Sequence, residues 1–413
     1  MLFYKEGKYI NIKQKIVIYG CGEWLSYRWG WFQCLDNVVA CSDKNTEKKN
    51  IVENAGFYFE DPGRIKYLEY DWLVVASESY YKEIESELIV NYDVPVDKLV
   101  SGISLWNKFE ELCDGDTIVS FGNKNDDKVF FVIAPLSRWF NNGLINLMNK
   151  IYRNVCYGLE KGYIPIIDMQ NFYTIYHEEG ELGNKNIWER YYTLKDKSNY
   201  KLDDVYQSRN VIFCYSNPKT EQEVAKEINL SKYPFYEHID ENINMKAEIF
   251  DALRRVFGRK CLGKRVLGVS IRGSDYNLLK PKDHYVQPTL TQFKTAIDEA
   301  IVKWRIDYIY ITSEEQASLD YMYSIYNDKI LTYECPLYDD YSTSFSEDID
   351  VVSKIQFKRE NDAFLRGKEY LVSTMLLTFC NCLISGMTSK INFLLNYLKI
   401  DFEEIFIFDL GRY

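Results

Sequence analysis

A chain of 413 residues with 46% hydrophobic content outgrows a single hydrophobic core, so about two or three domains of ordinary size are expected. Its net charge of −11 argues against nucleic acid and anionic membranes as partners, since both reward a basic face; a small anionic substrate stays open if a few basic residues are focused locally. The 10 cysteines lie scattered in apolar runs without C-x-x-C spacing and read as reduced core thiols, and the 3 histidines have no partner at metal-ligand spacing, so no metal site is expected. Neither a signal-peptide core nor an apolar window of membrane length occurs, and the expectation is a cytoplasmic protein with no transmembrane segment.

In chain order, Ile16 to Tyr19 is a strand running into Gly20-Cys21-Gly22, and Val38 to Asp43 is a second strand ending in an acid. This is a partial dinucleotide fingerprint: Leu25 fills the third glycine position, where a bulky side chain blocks close helix approach. A strand from Tyr70 to Ala76 and a helical stretch from Tyr80 to Val90 complete a small Rossmann-like module over residues 1–120. Polar sequence from Cys113 to Lys128 has nothing to bury and reads as a linker, so the module is expected to be removable.

A second unit, 128–245, opens with the strand Val129 to Ala134. It passes Asn142 and Gly143 into a helix whose Leu144, Leu147, Met148, Ile151 and Val155 share one face, and it returns in a strand from Tyr163 to Asp168. The aromatic and polar stretch that follows includes Trp188, which reads either as a platform for a sugar ring or as packing under a long loop, the commoner use. The third unit, 246–413, carries a helix from Ala247 to Phe257 and the apolar strand Val266 to Ile271, which stops abruptly at Arg272. Thr289 to Gln292 is a capping box, and the helix it starts buries Leu290, Phe293, Ile297 and Ile301. Strands from Asp307 to Thr312, Lys329 to Tyr333 and Cys382 to Ser385 alternate with helices, which predicts an α/β chain with parallel, doubly wound sheets throughout.

Ligands of such sheets sit beyond the carboxyl ends of the strands. Arg272 is delivered there, as are Thr312 with Glu314, and Gly386 with Thr388 and Ser389 at a strand-to-helix turn suited to an anion. Arg272 and Asp275 pairing only with each other at the surface is the plainer alternative.

The run Gly268-Val-Ser270-Ile-Arg272-Gly-Ser274-Asp275-Tyr276 resembles the phosphate-binding motif of the fucosyltransferase superfamily, G-V-H-[VI]-R-R-x-D, with Ser270 in place of its His and Gly273 in place of its second Arg. Thr312-Ser-Glu314 and Ser385-Gly386-Met-Thr388-Ser389 resemble the second and third motifs, and Glu369 and Ser373 lie on the helix whose relatives meet ribose or base. The loop at Asn142 loosely resembles the family's Gly/Asn-rich acceptor-side loop, with Asp168, Trp188 and His284 as further acceptor-side candidates.

The resemblance implies a GT-B fold of two Rossmann-like halves preceded by the small module, which itself resembles domains fused to polysaccharide-biosynthesis enzymes. It implies an inverting transferase that needs no cofactor or metal and takes a GDP-sugar donor, GDP-fucose above all, to a glycan or polysaccharide acceptor. Arg272 would meet the donor diphosphate, helped by the helix start and by Lys280 or Lys282. Asp275 either accepts the acceptor's proton or orients Arg272. Two rival readings stay open: an NAD(P)-dependent oxidoreductase or nucleotide sensor built on Gly20, Gly22 and Asp43, and a non-catalytic carbohydrate-binding protein. Assembly as a homo-oligomer is compatible with either.

Overall fold

The computed structural model describes residues 2–5, 8–11, 14–35, 37–77, 79–112, 117–135, 142–195, 200–214, 226, 228–272, 275–338 and 355–413. Compactness divides the chain into two units, one made of Met1–Phe140, Ile151–Trp188 and Asp196–Asn229, the other of Asn141–Lys150, Glu189–Lys195 and Leu230–Tyr413. The strands are β1 (Leu2–Lys5), β2 (Lys8–Asn11), β3 (Ile16–Tyr19), β4 (Val38–Ser42), β5 (Trp72–Val75), β6 (Leu99–Ser101), β7 (Ile118–Ser120), β8 (Phe130–Ile133), β9 (Ile164–Ile167), β10 (Tyr192–Leu194), β11 (Val211–Phe213), β12 (Ile239–Glu241), β13 (Val266–Ile271), β14 (Tyr308–Ser313), β15 (Ile330–Leu331), β16 (Cys382–Gly386) and β17 (Glu404–Phe408).

The first unit holds two sheets. One is parallel, in the order β4-β3-β5-β6, and its central strands are buried β-branched runs, as an inner parallel strand requires. The other runs β2-β1-β7-β11-β8-β9. It is parallel across β11, β8 and β9, but β7 pairs antiparallel with both β11 and β1. Parallel pairing throughout is therefore corrected here. The pairs β1–β2 and β10–β12 are antiparallel as well. Within the six-stranded sheet the reversal comes with β7, which lies inside the stretch read as a linker; three residues are too few to display a period, yet Val119 is fully buried.

The amino-terminal module also lends side chains to the core of the segment after it. Trp31, Trp106, Phe109 and Val119 form one apolar cluster with Phe130, Val132, Phe172 and Phe213. The rings of Trp31 and Phe109 lie 4.2 Å apart, and Trp31 meets Phe172 at 5.5 Å and Phe213 at 5.9 Å. Gly30, in the helix Trp29–Leu35, is a glycine because a Cβ there would come within 2.6 Å of the Asn171 Cα. The boundary drawn between residues 120 and 128 thus does not coincide with a boundary between compact units.

The second unit centres on a five-stranded parallel sheet, β15-β14-β13-β16-β17. The first strand along the chain, β13, lies in the middle; the chain winds outward through β14 and β15, then crosses to β16 and β17. The two directions part between β13 and β16, and such a switch point opens a crevice at the carboxyl ends of both strands. Helix starts follow local chemistry: Asn242 caps Ile243–Val256 through the Met245 N–H, and the Thr289/Gln292 capping box is complete at Leu290–Lys303.

Beside this sheet, β10 and β12 pair Tyr192 with Glu241. Burial pushes the Glu241 carboxyl up to about 7, and the neighbouring Asp240 charge adds to this. The folded state therefore keeps a proton that the unfolded chain releases near pH 4.5, so stability falls as pH rises from there towards 7. Glu241→Gln is expected to stabilise the protein by on the order of 2–3 kcal/mol at pH 8 and by little at pH 4.5. Thermal melts at the two pH values check this; equal shifts at both would contradict it.

Candidate functional site

Strand register builds the site. Ser270 of β13 stands beside Thr312 of β14 on one side and Ser385 of β16 on the other, a row of hydroxyl residues crossing three strands on one face. All three are buried. Two residues further, the same face carries Arg272 next to Glu314, and their side chains form an ion pair with Arg272 Nη1 at 3.2 Å from Glu314 Oε2. The Arg272 guanidinium also lies over the Tyr276 ring at 4.6 Å, and the exposed His284 meets that ring edge-on at 5.2 Å. Arg272 is thus held in place at the crevice by a carboxylate and an aromatic face.

Across the switch point, β16 ends at Gly386. A Cβ at this position would come within 2.6 Å of Gln287 Oε1 and 2.8 Å of the rigid Pro288 ring, so only glycine lets the turn approach that segment. Gln287 secures the turn by donating to the Met387 carbonyl at 3.1 Å. Thr388 caps the following helix by accepting from the Ile391 N–H, and the Ser389 carbonyl accepts from Asn149 at 3.1 Å. The Ser385 hydroxyl donates to the Ser270 carbonyl at 3.2 Å, which ties β16 to β13 at this level.

The residue that sequence reasoning missed is Lys390. Its side chain is buried, at 6% exposure, and its ammonium donates to Thr312 Oγ1 at 3.2 Å and lies 4.7 Å from the centre of the Tyr370 ring. Burial lowers its pKa to about 8; Glu314 opposes the shift and Arg272 adds to it. A lysine in the first turn of a helix ordinarily reads as solvated, and only the tertiary fold turns it inward under β14.

The helix Asp362–Leu376 contributes Glu369 and Ser373. Arg359 grips Glu369 in a fork, with both N–O distances 2.7 Å, and also donates to Asp362 at 2.8 Å. The Ser373 hydroxyl donates to the Tyr370 carbonyl in its own helix. Ser274 and the side chain of Asp275 lie outside the described residues; the Asp275 backbone opens the short helix Asp275–Leu279. Asn142 lies in the second unit, accepting from Asn146 at 3.1 Å.

Asp168 and Trp188 belong to the first unit. Trp188 is buried, as packing under a loop requires. Asp168 is fully buried and accepts from Tyr206 at 2.5 Å, from the Asn171 side chain at 3.0 Å, and from the Asn171 and Gln170 N–H groups at 2.9 and 3.0 Å. This carboxyl anchors the loop after β9. Asp168→Ala is expected to cost about 2–4 kcal/mol by leaving those donors unmet. A melting temperature unchanged by the substitution, with activity lost, would instead assign Asp168 to a substrate.

In the amino-terminal module, the acid of the partial fingerprint turns back on its own glycine turn. Asp43 Oδ2 accepts from the Cys21 N–H at 2.6 Å, so one N–H of the turn is already engaged.

Residues 12–100 match the family described as C2185-like, N-terminal. No curated protein matches the chain. Among solved structures, NodZ α-1,6-fucosyltransferase soaked with GDP-fucose is similar at 14% identity, covering 68% of this chain and 96% of that one with a TM-score of 0.41. Fucosyltransferase NodZ from Bradyrhizobium, in a selenomethionine form, is similar at 13% identity over 69% and 96%, with a TM-score of 0.40.

Proposed function

We propose that this chain is an inverting glycosyltransferase of GT-B type that takes a GDP-sugar, GDP-fucose above all, and glycosylates a glycan or polysaccharide acceptor in the cytoplasm. The observation that carries the reading is Arg272 held at the switch point between β13 and β16, beside Glu314 and opposite the Gly386-Thr388-Ser389 turn. An anion arriving there meets a fixed guanidinium, and three segments with the resemblance noted above converge on the one sheet edge.

In the reaction, an acceptor hydroxyl oxygen bonds to the anomeric carbon as the bond from that carbon to the diphosphate breaks. The hydroxyl proton passes to a base, for which Asp275 and His284 are the candidates, and GDP leaves carrying the electron pair. Charge gathers on the diphosphate as the bond breaks, and Arg272 is placed to meet it. Glu369 and Ser373 are assigned to the nucleoside side, which requires the Arg359 fork to open or to share its carboxylate.

A screen of nucleotide sugars with carbohydrate acceptors, read by mass spectrometry in saturating EDTA, tests the reading. Transfer from GDP-fucose, undiminished by EDTA, is expected, because the cationic side chains supply the charge that a divalent ion supplies elsewhere. Activity lost in EDTA and restored by Mn²⁺ would overturn the metal-independent part; release of sugar from UDP donors alone would overturn the choice of nucleotide.

A further inference from the structure

Lys390 is a buried cation with no counter-ion among the described residues. Among the described residues no carboxylate lies within ion-pair distance of its ammonium, whose contacts are the neutral Thr312 hydroxyl and the Tyr370 ring. The nearby charges come as a compensated pair, since Glu314 is matched by Arg272. Among the described residues, the further titratable group that Lys390 senses is the Cys335 thiol, which burial keeps protonated. A buried ammonium with one hydrogen bond wastes most of its donor capacity, and such groups are retained where a ligand completes them.

The position is specific. Lys390 follows Ser389 directly in the turn after β16, and its side chain reaches Thr312, two residues before Glu314 on β14. It therefore approaches the crevice from below the same face on which Arg272 stands. We infer that Lys390 is the second cationic ligand of the site, completing with Arg272 a binding pocket for the diphosphate of a nucleotide. The assignment rests on the donor-site reading above and adds to it a residue that no motif marks.

One consequence is a linked proton. Without ligand, burial holds the lysine near pH 8, so above that pH part of the protein carries a neutral amine. A bound diphosphate favours the ammonium, so binding must take up a proton there and affinity must fall as pH rises from 8 to 9. Thr312 and Tyr370, being neutral, cannot substitute for the lysine in this linkage.

Calorimetric titration of the full chain with GDP, in buffers of different ionisation enthalpy at pH 7 and 8.5, tests the inference on wild type and Lys390→Met. Methionine keeps the volume of the stem and removes an unpaired buried charge, so the variant is expected to melt cooperatively. The wild type should take up protons at pH 8.5, and the variant should bind GDP about 10- to 100-fold more weakly at pH 7 with that uptake lost. Titration of the guanine base is common to both proteins and cancels in the comparison. Wild-type binding of GDP without proton uptake, or equal affinity in Lys390→Met, would overturn the role of Lys390 alone. Absence of any GDP binding by the wild type would overturn the donor-site reading itself. Absence of proton uptake by the wild type at pH 8.5 overturns the role even if Lys390→Met does not fold.

Discussion

A chain starting near Asp127 is expected not to fold. That truncation removes Trp31, Trp106, Phe109 and Val119 from the cluster they share with Phe130, Phe172 and Phe213, and it removes β7 from the edge of β11. Trp31 alone is 2% exposed, with three aromatic neighbours inside 6 Å. Losing one large buried aromatic side chain costs about 3–5 kcal/mol, and a whole domain is stable by only about 5–15 kcal/mol. The first unit therefore cannot survive losing several. Trp31→Ala in the full chain should destabilise it by about 3–5 kcal/mol, seen as a lower first transition in a melt. A soluble truncated chain melting cooperatively would show that the two cores are separable after all.

Arg272→Ala is expected to lower kcat/KM by about 10²- to 10³-fold, the size seen when one donor to a developing negative charge is removed. Arg272→Lys should restore little, because a lysine offers a point charge where the guanidinium offers a planar fork held by Glu314 and Tyr276. Folding should suffer too: Glu314 is only about 20% exposed and its Oε2 is buried, so stranding it costs about 1–3 kcal/mol. Rates read beside melting temperatures separate the two effects. Near-wild-type turnover in Arg272→Lys would exclude a bidentate anion contact.

Much of this was legible in the sequence, and the reasons differ by element. The strands β3, β5, β8, β13, β14 and β16 announce themselves as buried apolar runs with glycine or charge at their ends, and Thr289 with Gln292 states its own helix start. Short strands do not announce themselves. β7 looked like a linker because its burial comes from tertiary pairing with β1 and β11, and β17 is a five-residue edge strand whose outer residues remain exposed.

At the site, Arg272, Glu314 and Gly386 were visible because each stands at the end of a recognisable strand. Their mutual contact followed from register, which a single sequence does not supply. Lys390 was invisible for the opposite reason. Nothing local distinguishes a lysine that turns inward from one that faces water, and the pocket of Thr312 and Tyr370 is assembled from residues 20 to 78 positions away. Asp168 is an acid at a strand end, which suggests substrate; that its carboxyl accepts from Tyr206, Asn171 and Gln170 is set by tertiary contacts a single sequence does not display.

The central claim is that the switch point between β13 and β16 is a site for a guanosine diphosphate, and calorimetric titration of the full chain with GDP and with NAD tests it most directly. The account predicts saturable one-to-one binding of GDP that Arg272→Ala abolishes, and no heat from NAD. Tight binding of NAD with none of GDP, or GDP binding indifferent to Arg272→Ala, would contradict it.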